Sequence, residues 1–218
     1  LPELTGLAQK QVETRLAQAA EEPAPVEEYI GRAPPLAVAP FDEKTAKRHQ
    51  LLWSRYLHAP VEQDIDLGGG VKLTMVLIPP GEFLMGAPEA ERQWALEEAK
   101  AANESWGIKR IPAEAPQHRA KITRPFYLGK YEVTQPQWQA VMGGNPSQFH
   151  APANPVEKVS WDDIQTFVSR LNAADQRGVP SDKTRRTAMK MRYALPTEAQ
   201  WAYACRAGTT TAFCFGDA

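Results

Sequence analysis

Two cysteines, Cys205 and Cys214, are the residues of this 218-residue sequence with the most direct access to redox or metal chemistry. They lie nine positions apart, and the sequence contains no others. Two thiols are too few for a disulfide framework. A single Cys205–Cys214 disulfide and a two-thiolate copper or zinc site both stay open, because spacing alone decides neither. We expect Cys205 to be a small buried hydrophobic residue on the inner face of a helix.

The histidines and adjacent carboxylates do not form a recognisable catalytic or metal-binding pattern. No two of the four histidines share a helical turn, and the sequence has no His-Glu-x-x-His. They are His49, His58, His118 and His150. Asp162 and Asp163 could act as a general acid and base, but they fall in the predicted first turn of a helix, where the macrodipole favours negative charge. We therefore predict no catalytic and no metal-ligating residue in this chain.

Other motif-like stretches favour structural roles. Gly68-Gly69-Gly70 is followed by neither Lys-Ser/Thr nor a helix, so we predict a turn and not a phosphate loop. The basic stretch 183–192 lacks interleaved aromatic residues and the net charge is −1, which argues against a nucleic-acid partner. No segment has the ~20 consecutive apolar residues of a membrane span. No signal peptide follows Leu1, so the compartment is left open, with the cytoplasm favoured.

The elements that must position these residues begin with an extended leader. We predict a helical leader and Pro-rich linker over 1–40, with its helix at 3–20. A helical lead-in follows over 41–70, with a helix at about 43–58 that Asp42 caps. Its apolar face is formed by His49, Leu52, Trp53, Tyr56 and Leu57.

A domain of different character is predicted over 71–218. Strand formers occupy Val71 to Ile78, and a second strand resumes at 83–85 after Pro79-Pro80-Gly81. The stretch 89–106 predicts a helix inserted in a loop, and 120–133 predicts one or two strands. Because short helices alternate irregularly with strands and long loops, the pattern predicts an α+β domain.

Three helix starts share one local device, a hydroxyl followed three residues later by a side chain able to bond back. The pairs are Thr134 with Gln137, Ser160 with Asp163, and Thr197 with Gln200. The apolar stripes behind these caps are Trp138, Val141 and Met142; Ile164, Phe167, Val168 and Leu171; and Trp201, Ala204 and Cys205. We expect all three stripes to fold onto one sheet that begins near Val71.

Four segments in order resemble one family, the formylglycine-generating enzymes or sulfatase-modifying factors. They are MVLIPPGEFLMG (75–86), PFYLGKYEVTQPQWQAVMGGNPSQF (125–149), NPVEKVSWDDIQTFVSRLN (154–172) and YALPTEAQWAYACRAGTTTAFCFGD (193–217). The resemblance implies a C-type-lectin-like α+β fold that is incomplete at the C-terminus. Its structural signature falls on Pro196, Thr197, Glu198, Trp201, Cys205, Arg206, Ser160 and Trp161.

The resemblance also implies chemistry. Enzymes of this family use oxygen and copper(I) to oxidise a cysteine in a Cys-x-Pro-x-Arg segment of a sulfatase to formylglycine, and two cysteine thiolates bind the copper. The copper thiolates and calcium ligands belong to the C-terminal part of the family domain, and neither Cys205 nor Cys214 matches them. We therefore expect copper and calcium only in the complete domain, and no oxidase activity from this chain.

Two other functions remain open. The scaffold could be a non-catalytic protein- or ligand-binding module, attached to further domains of a large bacterial protein. It could also belong to an iron-dependent sulfur-transfer enzyme, but that would require an upstream histidine–carboxylate iron site, which residues 1–70 do not supply. Cysteines downstream of 218 would distinguish the oxidase from the binding module.

Overall fold

A computed structural model describes residues 32–176, 192–214 and Gly216. The strands are β1 (Ala37–Val38), β2 (Glu62–Gly68), β3 (Val71–Ile78), β4 (Gly81–Met85), β5 (His118–Ile122) and β6 (Phe126–Gly129). The helices are α1 (Glu43–Leu57), α2 (Glu89–Ala101), α3 (Ser105–Arg110), α4 (Gln135–Met142), α5 (Trp161–Gln176) and α6 (Glu198–Arg206). The helix predicted at 3–20 and nearly all of the basic stretch 183–192 lie outside the described residues.

The described chain divides into two compact units, which are discontinuous in sequence. The first unit takes residues 32–53, 79–125 and 197–214 with Gly216, and the second takes residues 54–78, 126–176 and 192–196. Each unit holds one three-stranded sheet. The predicted α+β class is therefore confirmed. In the described part of the chain, every helix falls short of the length and apolarity that a bilayer crossing requires.

The sheet of the first unit is centred on β4. β4 pairs in parallel with β1 and antiparallel with β5. β1 lies in the stretch that we predicted as linker, so that prediction missed a strand. The reason is tertiary: the Ala37 and Ala39 backbone N–H groups donate to the carbonyls of Pro80 and Glu82, at 3.0 and 2.9 Å. Proline content does not reveal that a sheet edge is available to the segment.

Helix α1 begins as predicted. The Asp42 carboxylate accepts a hydrogen bond from the Thr45 backbone N–H at 2.8 Å. The Thr45 side chain, together with this backbone bond, lowers the pKa of Asp42. His49, Leu52 and Trp53 are buried. The predicted stripe therefore holds over most of the helix and fails at its end, where the side chain of Tyr56 is exposed.

The inserted segment of the first unit is helical, but it is broken. α2 and α3 are separated at 102–104, where Asn103 takes a left-handed backbone with φ 54°. A short 3₁₀ turn, Ile111–Glu114, follows α3. The two tryptophans of the segment, Trp94 and Trp106, are both exposed, so the first unit does not use them as core residues.

The sheet of the second unit places β3 between β2 and β6, antiparallel to both. The turn between β2 and β3 contains Gly68-Gly69-Gly70, and all three glycines have positive φ, at 91°, 61° and 80°. Because L residues with side chains rarely adopt that conformation, the predicted turn is confirmed. No helix begins at this turn, since β3 starts at Val71.

Helices α4 and α5 build the core of the second unit. Trp138 of α4 stacks on Phe167 of α5 with ring centroids 5.0 Å apart and an interplanar angle of 1°. Leu171 completes the buried centre, and the partly buried residues around it include Val141, Met142, Ile164 and Val168. The stripes that we predicted for these two helices are therefore confirmed.

The prediction that a single sheet receives all three stripes is wrong. α4 packs against β2 and β3, and α5 packs against α4, but α6 packs against β4 and β5 in the other unit. β3 and β4 are adjacent in sequence, yet each pairs with strands of a different sheet. Periodicity identifies a buried face, but it does not say which sheet covers it.

Candidate functional site

Four of the eight signature residues lie on α6 and Thr197 caps it, so the first turn of the helix helps to hold them in place. The Thr197 hydroxyl accepts a hydrogen bond from the Gln200 backbone N–H at 3.2 Å, and the Gln200 side-chain oxygen accepts one from the Thr197 backbone N–H at 2.9 Å. This reciprocal pair is the predicted capping box. The helix ends at Arg206, after which Ala207 turns the chain with a left-handed φ of 46°.

Tyr203 anchors α6 to its sheet. The side chain is 4% exposed, and its ring centroid lies 5.4 Å from that of Phe83 on β4. Gly81 makes room for it, because a Cβ there would lie 2.2 Å from the Tyr203 hydroxyl oxygen and 2.1 Å from the Ala37 carbonyl oxygen. Burial raises the pKa of the Tyr203 phenol, so it remains a neutral packing residue.

The predicted inner face of α6 is wrong. Trp201 is 57% exposed, and Cys205 is exposed as well. Two residues turn a helix by about 200°, so once Tyr203 meets the sheet, Trp201 and Cys205 point away from it. The helix carries large side chains on both faces, and the sequence pattern alone led us to choose the wrong one.

A cleft of about 190 Å³ opens beside the C-terminal end of α6, entirely within the first unit. Arg206 is the signature residue in its wall, and the segment that follows the helix contributes Thr209 and Thr210. The wall also contains three polar residues: Glu82 of β4, Arg119 of β5, and Gln117 just before β5. The cleft therefore presents charged and hydrogen-bonding groups from three parts of the chain.

The charge around this cleft is predominantly positive. The Glu82 carboxylate accepts from Arg119 Nη1 at 3.2 Å and from Lys121 Nζ at 3.1 Å. Arg206 Nη1 donates to the Thr211 carbonyl at 2.8 Å, a neutral partner. The cleft lining thus holds two arginines and one carboxylate, and Lys121 also contacts that carboxylate, so the group as a whole attracts an anion.

The charged residues of β4 and β5 were not singled out from the sequence. Arg119 and Lys121 alternate along β5, which places them on one face of the strand. Only the register brings them to Glu82, which lies directly opposite Lys121. The alternation was a visible signal, but it acquires meaning only when the partner strand is known.

The segment after α6 folds back on itself, and both cysteines near it are free and exposed. Phe213 and Gly216 exchange backbone hydrogen bonds of 3.2 and 3.1 Å. Partial burial raises the pKa of Cys205, the neighbouring Cys214 raises it further, and the charge of Arg206 opposes both effects.

The other signature residues, Ser160, Trp161 and Pro196, belong to the second unit. The Ser160 backbone N–H donates to the Asp163 carboxylate at 2.8 Å, and the Asp163 N–H donates to the Ser160 hydroxyl at 3.2 Å. The hydrogen bonds from Ser160 lower the pKa of Asp163, which confirms it as a capping residue. Trp161 is exposed.

Histidine positions differ widely in environment. His49 is buried against Phe41, with ring centroids 6.0 Å apart, whereas His118 Nδ1 lies 2.9 Å from the Pro116 carbonyl. His150 Nδ1 lies 3.3 Å from Asn145 Nδ2 in the second unit. Across residues 32–176, 192–214 and 216, no three His, Cys, Asp or Glu side chains gather in a way that could hold a metal ion.

A buried amide that we did not predict organises the loop after α4. Gln135 is 3% exposed. Its nitrogen donates to the Phe149 carbonyl at 2.8 Å, and its oxygen accepts from Asn145 Nδ2 at 2.9 Å. Glu157 adds to this order by accepting from the Phe149 backbone N–H at 2.9 Å. Because its hydrogen bonds hold the loop, we assign Gln135 a structural role.

Comparison with known proteins finds relatives that match part of this chain. The chaperone protein LppX of Paenibacillus barcinonensis is 35% identical over 102 residues, which cover 38% of this chain and 36% of LppX. The chain thus matches little more than a third of that relative's length. Treponema denticola variable protein 1 aligns with 72% of this chain and 60% of its own, with a TM-score of 0.49 and 22% identity. PvdO from Pseudomonas aeruginosa aligns with 67% of this chain and 51% of its own, with a TM-score of 0.46 and 21% identity.

The family comparison covers most of the chain. The model of the sulfatase-modifying factor enzyme 1-like domain matches residues 71–218, which contain all four of the segments that suggested the resemblance. The α+β fold with two small sheets is the C-type-lectin-like fold of that family. This chain therefore belongs to the sulfatase-modifying factor enzyme 1-like family.

Proposed function

We propose that this domain serves the family's oxidation of a sulfatase cysteine to formylglycine, and that the chain supplies recognition of the substrate segment without performing the oxidation. The family match over residues 71–218 carries this proposal. The cleft beside α6 supports the recognition part, since Arg206 of the signature helix lies in its wall.

Copper chemistry is not assigned to the described residues. Neither Cys205 nor Cys214 matches a copper position of the family by resemblance. We therefore derive no step through copper in this chain.

A Cys-x-Pro-x-Arg peptide tests both halves of the proposal. The chain is incubated with copper(I), oxygen and the peptide, and the aldehyde is sought by mass spectrometry. We expect no aldehyde, while a fluorescent form of the peptide shows saturable binding. Formation of the aldehyde would overturn the expected inactivity, and the absence of saturable binding would overturn the recognition role.

A second candidate, a non-catalytic binding module, is favoured by the charge of the cleft. The two arginines that line the cleft, Arg119 and Arg206, outnumber its single carboxylate, Glu82. Lys121 also pairs with that carboxylate, so the cleft suits an acidic segment of a partner protein better than a segment that carries arginine. The relative named as a chaperone protein supports partner binding in the same direction.

An acidic peptide of equal length distinguishes the two candidates. If the binding module is correct, the acidic peptide binds more tightly than the Cys-x-Pro-x-Arg peptide, and its binding weakens as salt is added. Arg119→Ala should then weaken binding about fivefold, the effect of one charge contact worth ~1 kcal/mol. Lys100→Gln, an exposed site on α2, is the matched control. Equal affinity of Arg119→Ala and the unaltered chain would exclude the cleft as the binding site.

A further inference from the structure

We infer that the α6 cleft is a strand-addition site, in which an extended acidic segment of a partner protein pairs with the backbone of Leu84 on β4. This inference rests on the proposed binding role of the cleft and adds how the segment is held. Val38 and Ala39, at the end of β1, line the cleft together with Leu84. The cleft therefore lies where β1 stops beside β4.

The pairing of β1 with β4 ends before β4 does. Val38 is the last residue of β1 with a partner on β4, which is Glu82. One residue later, the Ala39 backbone N–H still donates to the Glu82 carbonyl at 2.9 Å. Backbone groups of alternate residues in a strand point to the same neighbouring strand, so the next donor in line would be that of Phe41.

The chain turns away before that donor reaches β4. The Phe41 backbone N–H donates to the Gly208 carbonyl at 3.1 Å, and a Cβ on Gly208 would lie 2.3 Å from the Phe41 ring. Gly208 has a φ of 95°, which a side chain would strain. This contact holds the chain against the segment that follows α6, so Leu84 lacks the partner that a longer β1 would supply.

The backbone of Leu84 consequently presents a donor and an acceptor to the cleft. Leu84 lies two residues after Glu82, so its N–H and C=O also point towards the β1 side of β4 and away from β5. Across residues 32–176, 192–214 and 216, no strand pairs with β4 on that side beyond Val38. Because β4 ends at Met85, this open edge suits a short extended segment.

Two arginines on opposite faces of the sheet favour an acidic segment. Arg119 is the register partner of Leu84, so the two side chains share one face. Arg206 belongs to α6, which packs on the other face through Tyr203 and Phe83. Each guanidinium carries five N–H donors and uses Nη1 within the unit, which leaves donors for a carboxylate. Because side chains of an extended segment alternate between faces, two adjacent acidic residues would reach one arginine each.

A scan of backbone methylation tests the added strand. A fluorescent peptide with two adjacent glutamates in a Val- and Thr-rich background is compared with versions in which one backbone amide at a time is N-methylated. We expect a single sensitive position, the amide that donates to the Leu84 carbonyl, where methylation weakens binding about tenfold. Methylation of the amides on either side should change Kd less than about twofold, because they point away from β4.

The outcomes separate the added strand from the binding role of the cleft. If the unmodified peptide binds and methylation has the same effect at every position, the added strand is overturned and the binding role stands. If the unmodified peptide does not bind, both are overturned.

A variant of the protein removes the donor from the other side of the contact. Leu84→Pro deletes the N–H that faces the cleft and should spare the β4–β5 ladder, because proline is tolerated where the N–H points away from the ladder. We expect about tenfold weaker binding of the unmodified peptide, whereas Leu84→Ala keeps the N–H and should stay within about threefold. Circular dichroism checks that both variants fold. Equal affinity of the two folded variants would overturn the proposal, and if Leu84→Pro does not fold, the methylation scan decides.

Discussion

Helices α4 and α6 begin with the same five-residue pattern, Thr-x-x-Gln-Trp, yet the tryptophan is buried in α4 and exposed in α6. Trp138 is 4% exposed, whereas Trp201 is 57% exposed. Both helices have a complete capping box. The difference is in the partner: Trp138 stacks on Phe167 of α5, while α6 meets its sheet through Tyr203. Local sequence starts a helix, and the neighbouring element decides which face is buried.

Replacing each tryptophan in turn should show the largest difference in stability between the two helices. Trp138→Ala deletes a buried, stacked ring, and we expect it to lower the free energy of unfolding by ~3–5 kcal/mol. Trp201→Ala removes an exposed ring and should cost less than about 1 kcal/mol. Urea unfolding measures both. Equal losses would mean that Trp201 is covered and that the contrast between the helices is false.

The contact between Tyr203 of α6 and its sheet can be disrupted by a substitution on β4. Gly81→Ala would place a Cβ 2.2 Å from the Tyr203 hydroxyl oxygen and 2.1 Å from the Ala37 carbonyl oxygen, so we expect a loss of ~1–3 kcal/mol in the free energy of unfolding. Gly144→Ala is the control, since a Cβ there meets nothing within 4 Å.

A second variant assigns the cause of that loss. Combining Gly81→Ala with Tyr203→Leu removes the hydroxyl but leaves the Ala37 carbonyl, so the double variant should recover part of the loss relative to Tyr203→Leu alone. Strict additivity of the two changes would show that Gly81 and Tyr203 do not depend on each other.

Both helices have a capping box at their N-terminus. Thr134→Ala and Thr197→Ala each remove one side of a capping box, and each should cost ~1 kcal/mol. Thr→Ser at either site keeps the hydroxyl and should restore most of the stability. Thermal unfolding of the four variants measures this. A large cost at only one of the two sites would show that the caps are not equivalent.

The smallest effect concerns the first unit at acid pH. Burial, with a further contribution from Arg48, lowers the pKa of His49 below its usual 6.5, and its Nδ1 is buried without a hydrogen-bond partner. The unfolded chain binds the proton more readily, so stability is full above the unfolded pKa and falls as pH drops through that value towards the folded one. His49→Gln should reduce the pH dependence of the free energy of unfolding between about pH 7.5 and pH 5.5. An unchanged pH profile in the variant would remove His49 as the cause.

Much of the local structure could be predicted. Asp42 was assigned as a helix cap, and Thr134, Ser160 and Thr197 were assigned from a hydroxyl with a side chain three residues later that can bond back. Each of the four makes a capping bond. Strands β3 to β6 followed from runs of strand formers. β1 and β2 were missed, because a two-residue strand and a charged strand such as Glu62–Gly68 carry little apolar signal.

The candidate site was less accessible to prediction. Arg206 was recognised through the family signature, but Glu82 and Arg119 acquire their role from the register of β4 with β5. The turn after α6 depends on side-chain hydrogen bonds to nearby backbone carbonyls, such as that from Arg206 to Thr211. Such contacts are not periodic, so no count of spacing along the chain reveals them.

The sequence by itself determined the class of the domain, its family and the points at which its helices start, because capping and periodicity act over a few residues and are encoded locally. Only the tertiary structure decided that β3 and β4 join different sheets, that Tyr203 rather than Trp201 faces the core, and that Arg206 joins Glu82 and Arg119 in the lining of one cleft. These outcomes depend on which surfaces are free to pair and on their shapes. That is a property of the folded units and not of any short segment.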